Sequence, residues 1–205
     1  AALRGRRWQW PAGLTVAALF ATLVWQPGPA ATAPHTLELT AIDVGQGDSV
    51  LVQGTGAVGL STIALARLSG ASSVLAIGAP APRLALAREM GADEVFALAS
   101  TSPRERLETV RARTHGEGVD VVVEAAGSAR AIEEGLMLAR DGGRYIVAGH
   151  YSDVGPSSIN AHHHINRKHL EIRGCWGSEP GHFLLALAFL ERYASTVPWR
   201  RIGGR

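Results

Sequence analysis

The chain contains a short apolar run, residues 50–53, that leads directly into Gly54-x-Gly56-x-x-Gly59 and then into a helical pattern. Each glycine meets a separate need of a strand–turn–helix unit that binds a dinucleotide. Gly54 permits the sharp turn out of the strand, Gly56 permits a pyrophosphate to approach the backbone, and Gly59 permits close packing of the helix on the sheet. The helix N-terminus adds free N–H groups and the positive end of its dipole. The pattern predicts a dinucleotide site rather than an ordinary glycine-rich turn.

Apolar runs and helical patterns alternate through the rest of the chain. The runs predict strands at 50–53, 74–77, 94–97, 119–124, 145–148 and 170–173, and the helical patterns follow Gly59 and Pro82 and cover 103–113, 128–140 and about 180–193. Strands that alternate with helices favour a parallel sheet covered on both faces. With the glycine turn after the first strand, the expected fold class is α/β, a Rossmann doubly wound parallel six-stranded sheet.

Charge and residue counts exclude several classes of function. The net charge is +2, but residues 1–35 hold three arginines and no acid, which leaves 17 basic against 18 acidic residues in the remainder. This balance argues against a nucleic-acid partner. The single lysine, Lys168, argues against lysine-based chemistry, and the single cysteine, Cys175, excludes an internal disulfide and a multi-cysteine zinc site.

Residues 1–35 differ in character from the rest of the chain. After the arginines, residues 8–25 form an apolar stretch that ends at a spacer rich in proline and glycine. The stretch reaches the lower length limit for a membrane span, and Trp8 and Trp25 at its ends suit the membrane interface. The expectation is a membrane anchor. A cleaved secretory signal, with Ala31-Thr32-Ala33 as its cleavage site, and an ordinary buried helix are the alternatives.

The next segment alternates polar and apolar residues as a half-buried strand does, and then reads Asp43-Val44-Gly45-Gln46-Gly47-Asp48. On these residues and the apolar stretch, residues 1–53 resemble the join between the membrane channel and the metallo-β-lactamase-like domain of ComEC-type DNA-uptake proteins. The resemblance implies a membrane helix followed by the first strand of a truncated ComEC-like domain. It implies no nuclease chemistry, because the downstream His-x-His-x-Asp-His cluster of that family is absent from the sequence.

Five later blocks carry a second resemblance: VLVQGTGAVGLSTIALARLSGA, RLALAREMGADEV, GVDVVVEAAGS, GLMLARDGGRYIVAGH and KHLEIRGCWGS. In this order, over about residues 47–202, they resemble the nucleotide-binding domain of zinc-dependent (medium-chain) alcohol dehydrogenases. The resemblance implies an oxidoreductase that uses NAD or NADP to oxidise alcohols or reduce carbonyls, in a family that is normally cytoplasmic. It also implies a homodimer through the edge of the sixth strand.

The resemblance assigns each part of the cofactor to a set of residues. The pyrophosphate would be held by Gly54, Gly56, Ala57, Val58 and Gly59. The adenosine side would lie beside Ala125, Ala126 and Gly127. The nicotinamide would be lined by the backbones of Val147, Ala148, Gly149, Gly174, Cys175 and Trp176.

Some positions depart from the usual pattern of such a site. Gly78 stands at the end of the second strand, where an acid commonly binds the adenosine ribose. A glycine there removes the charge that would repel a 2′-phosphate, and Arg83 is either a contact for that phosphate or a solvated helix residue. NAD and NADP therefore both stay open. Glu124, at the end of the fourth strand, is open to a ribose contact or to a structural role.

Zinc is expected for the family, but this sequence offers no ligand set. The family takes zinc ligands from a separate N-terminal domain and from a position upstream of the glycine turn, where this chain has Gly28-Pro29-Ala30-Ala31. The adjacent His162, His163 and His164 lack a ligand spacing, because neighbours on an extended chain point in opposite directions. No metal ligand and no catalytic residue is assigned.

The predicted organisation has three parts. Residues 1–35 form an anchor or signal-like segment, residues 36–48 a ComEC-like strand, and residues 49–205 an NAD(P)-binding Rossmann domain that is truncated at its C-terminus. We expect a chimeric cofactor-binding module with little dehydrogenase turnover. The alternative is a membrane-anchored fragment of a ComEC-like DNA-uptake protein.

Overall fold

The computed structural model describes residues 48–178 and 180–203. The membrane segment and the ComEC-like strand predicted within residues 1–47 lie outside the described residues. In the part that is described, no helix has both the length and the apolar character needed to cross a membrane. The described residues therefore belong to the predicted nucleotide-binding domain.

Within these residues, six strands form one parallel sheet in the order β3-β2-β1-β4-β5-β6. The strands are β1 Ser49–Gln53, β2 Ser73–Gly78, β3 Glu94–Ala97, β4 Val119–Glu124, β5 Ala139–Val147 and β6 Glu171–Gly174. Val52 of β1 pairs with Ala76 of β2 on one side and with Val123 of β4 on the other. Strand order reverses at β1, so its carboxyl end is the switch point where sheets of this kind bind ligands. The predicted six-stranded Rossmann sheet is confirmed.

Helices connect the strands and cover both faces of the sheet. They are α1 Ala57–Leu68, α2 Ala81–Glu89, α3 Pro103–Arg113, α4 Ala129–Leu138 and α5 Pro180–Arg192, with a π-helix at His162–Asn166 and a 3₁₀ helix at Trp199–Gly203. The start of α3 shows how local sequence sets a boundary. The Ser102 hydroxyl accepts the Glu105 N–H at 3.2 Å, and the Glu105 carboxylate accepts the Ser102 N–H at 2.7 Å. This reciprocal pair satisfies two otherwise free donors at the helix N-terminus.

Each face of the sheet has its own hydrophobic core, because successive strand side chains point to opposite faces. Val50 and Val52 pack with Leu60 and Ile63 of α1 on one face. Leu51 belongs to a second cluster on the other face, with residues of β2, α3 and α4. Since β1 is covered on both faces, its three central residues, Val50 to Val52, are all apolar and do not alternate with polar ones.

The junction between α4 and β5 differs from the sequence prediction of one helix over 128–140 and a strand at 145–148. The helix ends at Leu138, and β5 begins at Ala139, where it pairs with Val119 before a shift in register. The Lys168 ammonium donates to the carbonyl of Leu136 at 2.7 Å and also to that of Ala139. Burial lowers the pKa of this lysine. A cation from a distant segment therefore binds the carbonyls at the helix C-terminus, which no local pattern reveals.

Asp120 of β4 links the start of β1 to β5 through its carboxylate. Its Oδ2 accepts the backbone N–H and the hydroxyl of Ser49, both at 2.7 Å, and its Oδ1 accepts Nε of Arg140 at 2.5 Å. Burial raises the pKa of Asp120, but the hydrogen bonds from Ser49 and Arg140 together outweigh burial, so the pKa lies below its ordinary value. The folded structure thus favours the ionised carboxylate.

We expect Asp120→Asn to lower the free energy of unfolding by about 1 kcal/mol at pH 7, because charged hydrogen bonds are lost from a partly buried site that solvent partly screens. The pKa is lower in the folded state than in the unfolded state. The stabilisation is therefore complete above the unfolded pKa, near 4, and is lost as the pH falls through the folded value. Urea unfolding at several pH values measures the difference between wild type and variant, which should shrink at acid pH.

Asp153→Asn is the matched control, since Asp153 is an exposed loop aspartate. This variant should unfold like the wild type at each pH. A difference between wild type and Asp120→Asn that stays constant down to about pH 3 would contradict the assigned role of the carboxylate.

Candidate functional site

A cleft of about 980 Å³ lies at the carboxyl ends of β1, β2 and β4. Its floor and walls include the turn after β1, the end of β2, the turn after β4, and parts of α3 and α4. The lining residues include Gly54, Thr55, Gly56, Gly78, Ala79, Ala125, Ala126, Arg106, Arg130, Glu133 and Glu134. The cleft is at the switch point of the sheet and is large enough for a nucleotide-sized ligand.

The turn after β1 requires glycine at two of its three glycine positions for steric reasons. Gly54 has φ +107°, and a Cβ added to it would lie 2.7 Å from the Ala125 carbonyl carbon. A Cβ on Gly59 would overlap the carbonyl oxygen of Gly54, so glycine there permits α1 to pack against the turn. Gly56 differs, because its φ is −71° and no described atom lies within 4 Å of an added Cβ. Glycine at position 56 therefore leaves open space above the backbone.

The first turn of α1 faces that open space. Gly56, Ala57 and Val58 are exposed, and none of the described side chains caps the helix N-terminus. The first N–H groups of a helix have no partner within the helix, and the dipole makes this end positive. The geometry thus offers backbone donors to an anion at the mouth of the cleft.

The turns after β4 and β5 are joined by Glu124, whose side chain is fully buried. Its Oε1 accepts the N–H groups of Ala126 and Gly127 at 2.7 and 2.6 Å. Its Oε2 accepts the Gly149 N–H at 3.2 Å and lies 3.7 Å from Nε2 of His150. Both carboxylate oxygens already accept backbone hydrogen bonds, so the geometry favours the structural role of Glu124 over a ribose contact.

The residues assigned to the nicotinamide side come together at the ends of β5 and β6. The Cys175 N–H donates to the Val147 carbonyl at 2.9 Å, which places the segment 174–176 beside the segment 147–149. The exposed Trp176 ring stacks on Tyr151 with centroids 5.0 Å apart. These two segments do not line the cleft. Both segments lie farther along the carboxyl edge of the sheet, outside the cleft.

Gly78 and Arg83, the two residues assigned to the ribose end, have different surroundings. Gly78 lines the cleft at the end of β2. Arg83 does not line the cleft, and its Nη1 donates to the backbone carbonyl of Ile202 at 2.8 Å. The contact of Arg83 with a 2′-phosphate stays a prediction, and this geometry does not support it.

Sequence reasoning missed the buried ion pair in the cleft wall. Arg106 of α3 is 3% exposed, and its Nε and Nη2 donate to the two carboxylate oxygens of Glu134 in α4 at 2.5 and 2.9 Å. Its Nη1 also donates to the Thr101 hydroxyl at 3.0 Å. One sequence signal existed: Arg106 lies one helical turn before Val110, on the face of α3 that turns out to be buried.

The described residues do not fit the zinc site that the resemblance implies. Within 48–178 and 180–203, no group of three or more His, Cys, Asp or Glu side chains could hold a metal ion. His162, His163 and His164 lie in the π-helix, whereas Cys175 follows β6. The dinucleotide, in contrast, fits the open glycine turn and the cleft beside it.

Comparisons with known proteins identify the family of this segment. Residues 57–192 match the family described as zinc-binding dehydrogenase. The 5-exo-hydroxycamphor dehydrogenase of Pseudomonas putida is 37% identical over 155 residues, which are 76% of this chain and 43% of that protein. The L-threonine 3-dehydrogenase of Bacillus subtilis is 37% identical over 131 residues, which are 64% of this chain and 36% of that protein.

Solved structures show the same likeness. An alcohol dehydrogenase from Thermotoga maritima has a TM-score of 0.70 and 35% identity, over 74% of this chain and 41% of that chain. A zinc-binding dehydrogenase from Sinorhizobium meliloti bound to NADP has a TM-score of 0.62 and 27% identity, over 71% of this chain and 43% of that chain. The chain thus spans about two fifths of the length of these relatives.

None of these matches supports the resemblance of residues 1–53 to ComEC-type proteins, and the dehydrogenase resemblance is the one that they confirm. The parallel sheet, the glycine turn at its switch point and the matched segment all point to one assignment. The chain belongs to the zinc-binding dehydrogenase family and carries its NAD(P)-binding domain.

Proposed function

We propose that this chain binds NAD(H) or NADP(H) across the carboxyl edge of its sheet, as the cofactor module of an alcohol-dehydrogenase-type oxidoreductase. The observation that carries the proposal is the exposed, unobstructed Gly56 at the N-terminus of α1. The pyrophosphate would bind there, on the N–H groups of the turn from Gly54 to Gly59. The adenosine half would enter the cleft beside Gly78 and the segment 125–127. The nicotinamide half would extend toward the segments 147–149 and 174–176.

When bound, the nicotinamide ring supplies the hydride acceptor or donor of the reaction. The residues of this chain bind and orient the cofactor: the first turn of α1 binds the pyrophosphate, and Glu124 holds two turns in place. The substrate would be an alcohol or a carbonyl compound. The described residues offer no zinc ligand set to polarise a substrate oxygen. We therefore propose that the 205-residue chain binds cofactor with little turnover of its own.

Membrane attachment through residues 8–25 stays a prediction from the sequence, because that segment lies outside the described residues. A membrane location and the ComEC-like alternative depend on the same segment. No observation on the described residues favours either, and the family match supports the dehydrogenase function instead.

A homodimer through β6 is a further part of the proposal. Within the described sheet, β6 pairs with β5 on one side and is the last strand in the order, so its outer edge is free to pair. Ile172, in the middle of this strand, is 40% exposed. Two copies that pair along this edge would form one continuous sheet.

Gly56→Val should weaken binding of NADH and NADPH by at least about tenfold, because the added side chain would occupy the space of the pyrophosphate. The variant should still fold, since the backbone at position 56 is ordinary and the space is open. We expect a melting temperature within about 4 °C of the wild type, a margin that covers the poorer helix cap. Fluorescence titration of the full chain with each cofactor, followed by thermal melting, measures both effects.

Gly181→Val is the matched control, because Gly181 is exposed at the start of α5 with no described atom near an added Cβ. It should bind both cofactors like the wild type. Failure of the wild-type chain to bind either cofactor saturably would refute the proposed function.

Glu124→Gln should lower the free energy of unfolding by about 3 kcal/mol, because a side-chain amide nitrogen cannot accept the buried backbone N–H groups that the carboxylate accepts. Urea unfolding of the full chain measures this change. Glu117→Gln is the control, since Glu117 is exposed and precedes β4. A Glu124→Gln variant as stable as this control would show that the carboxylate does not hold the two turns.

Ile172→Lys should shift the full chain from dimer toward monomer, because a lysine on an edge strand opposes pairing with a second edge. Light scattering during size-exclusion chromatography, at several protein concentrations, measures the mass. Ala112→Lys adds the same charge at an exposed position of α3 and should leave the dimer intact. A wild-type chain that is monomeric at every concentration would refute this pairing.

A further inference from the structure

Thr55, between the first two glycines of the turn, has its side chain beneath the end of β2. It is 3% exposed although it lies in the lining of the cleft. Its hydroxyl donates to the carbonyl oxygen of Ala79 at 3.1 Å, so the buried Oγ1 is satisfied in this position. The turn after β1 is thereby tied to the residue that follows β2.

The space that Thr55 fills is the space that a side chain on Gly78 would need. A Cβ added to Gly78 would lie 2.6 Å from Cγ2 and 3.0 Å from Cβ of Thr55, and it would overlap Oγ1. Rotation about χ1 of Thr55 does not clear this space. Threonine carries both Oγ1 and Cγ2 on its Cβ, so each staggered rotamer leaves at least one of them near position 78. The backbone at Gly78 lies outside the left-handed region. The obstacle to a larger residue is therefore the Thr55 side chain.

The end of β2 is the position from which an acid binds the ribose 2′-hydroxyl of NAD and repels the 2′-phosphate of NADP. We infer that Thr55 restricts position 78 to glycine and thereby preserves the cofactor selectivity that this glycine gives the chain. By excluding a side chain at position 78, it keeps a carboxylate away from the ribose and leaves the cleft open to NADP(H). This inference rests on the proposed function and gives the reason why the site does not exclude NADP(H).

The other charges around the cleft agree with this selectivity. Arg106 and Glu134 neutralise each other in the wall. The remaining charged residues of the lining are Arg130 and Glu133, both on α4 and both exposed, and they leave the cleft with no net charge. Thus no excess of negative charge in the lining opposes a 2′-phosphate, and we expect NADPH and NADH to bind with similar affinity.

A double-mutant cycle on the full chain tests the inference with wild type, Thr55→Ala, Gly78→Asp and the double variant. Gly78→Asp alone should melt at least about 4 °C lower and bind both cofactors at least about tenfold more weakly, because its Cβ displaces the turn. In the double variant, the melting temperature should rise again above that of Gly78→Asp. The affinity for NADH should recover to within about threefold of the wild-type value. NADPH should stay at least about tenfold weaker, because the new carboxylate repels the 2′-phosphate.

Gly78→Ala, with and without Thr55→Ala, separates steric hindrance from charge. Alone, it should lower the melting temperature as Gly78→Asp does, because both add the same Cβ. Combined with Thr55→Ala, it should recover binding of both cofactors and show no selective loss of NADPH. Titration with NADH and NADPH, followed by fluorescence, and thermal melting give the two readouts for every variant.

Three results would overturn the inference. The first is a Gly78→Asp variant that keeps the wild-type melting temperature and becomes selective for NADH, which would show that Thr55 is not the obstacle. The second is a double variant that recovers neither stability nor NADH binding. The third is a wild type that binds NADH but not NADPH, which leaves the proposed function standing. A wild type that binds neither cofactor refutes the proposed function itself.

Discussion

The turns that follow β1, β4 and β5 pack backbone against backbone, and the binding edge of this domain depends on that contact. A Cβ on Gly54 would lie 2.7 Å from the Ala125 carbonyl carbon, and one on Gly127 would lie 2.6 Å from the Gly149 carbonyl oxygen. The backbone N–H groups of turns that pack this closely still need hydrogen-bond acceptors. The Glu124 carboxylate provides acceptors for N–H groups of the turns after β4 and β5.

A buried polar side chain below these turns, Tyr145, has hydrogen-bond partners. Tyr145 is fully buried, and its hydroxyl lies 3.3 Å from both Oε1 of Gln53 and the carbonyl oxygen of Ala131. Burial first, and then the negative charges of Glu124 and Glu134, raise the pKa of this phenol. Tyr145 therefore stays a neutral hydrogen-bond donor. Unpaired polar atoms at this depth would be costly, so the pairs restrict the packing below the cleft to one arrangement.

The buried charged side chains in the wall of the cleft are paired as well. The Arg106–Glu134 pair is almost completely removed from water and makes two parallel hydrogen bonds. Desolvation offsets much of the attraction in such a pair, so its main effect is to fix α3 against α4 rather than to add stability. Because the pair is neutral overall, the wall contributes no net charge, and anion binding is left to the backbone donors of α1.

Local sequence was sufficient for the number and order of the strands along the chain and for the glycine turn, because these follow from the periodicity and from the steric limits of single residues. The boundary between α4 and β5 was predicted wrongly, since Lys168 ends the helix from a distant part of the chain. Arg106 was missed for a related reason: its burial depends on Glu134, which lies on another helix. The predicted anchor in residues 8–25 lies outside the described residues and stays a prediction.

The sequence by itself determined the parallel α/β fold and the position of the dinucleotide turn. Continuous apolar strands require cover on both faces, and only glycine tolerates the backbone of Gly54 and the close packing at Gly59. Only the tertiary structure showed the surroundings of Glu124, Arg83 and Thr55. Thr55 and Arg83 meet partners that lie far away in the sequence, and Glu124 joins the nearby N–H groups of Ala126 and Gly127 to the distant Gly149. The burial and hydrogen bonding of such side chains depend on the packing of distant segments as well as on neighbouring residues.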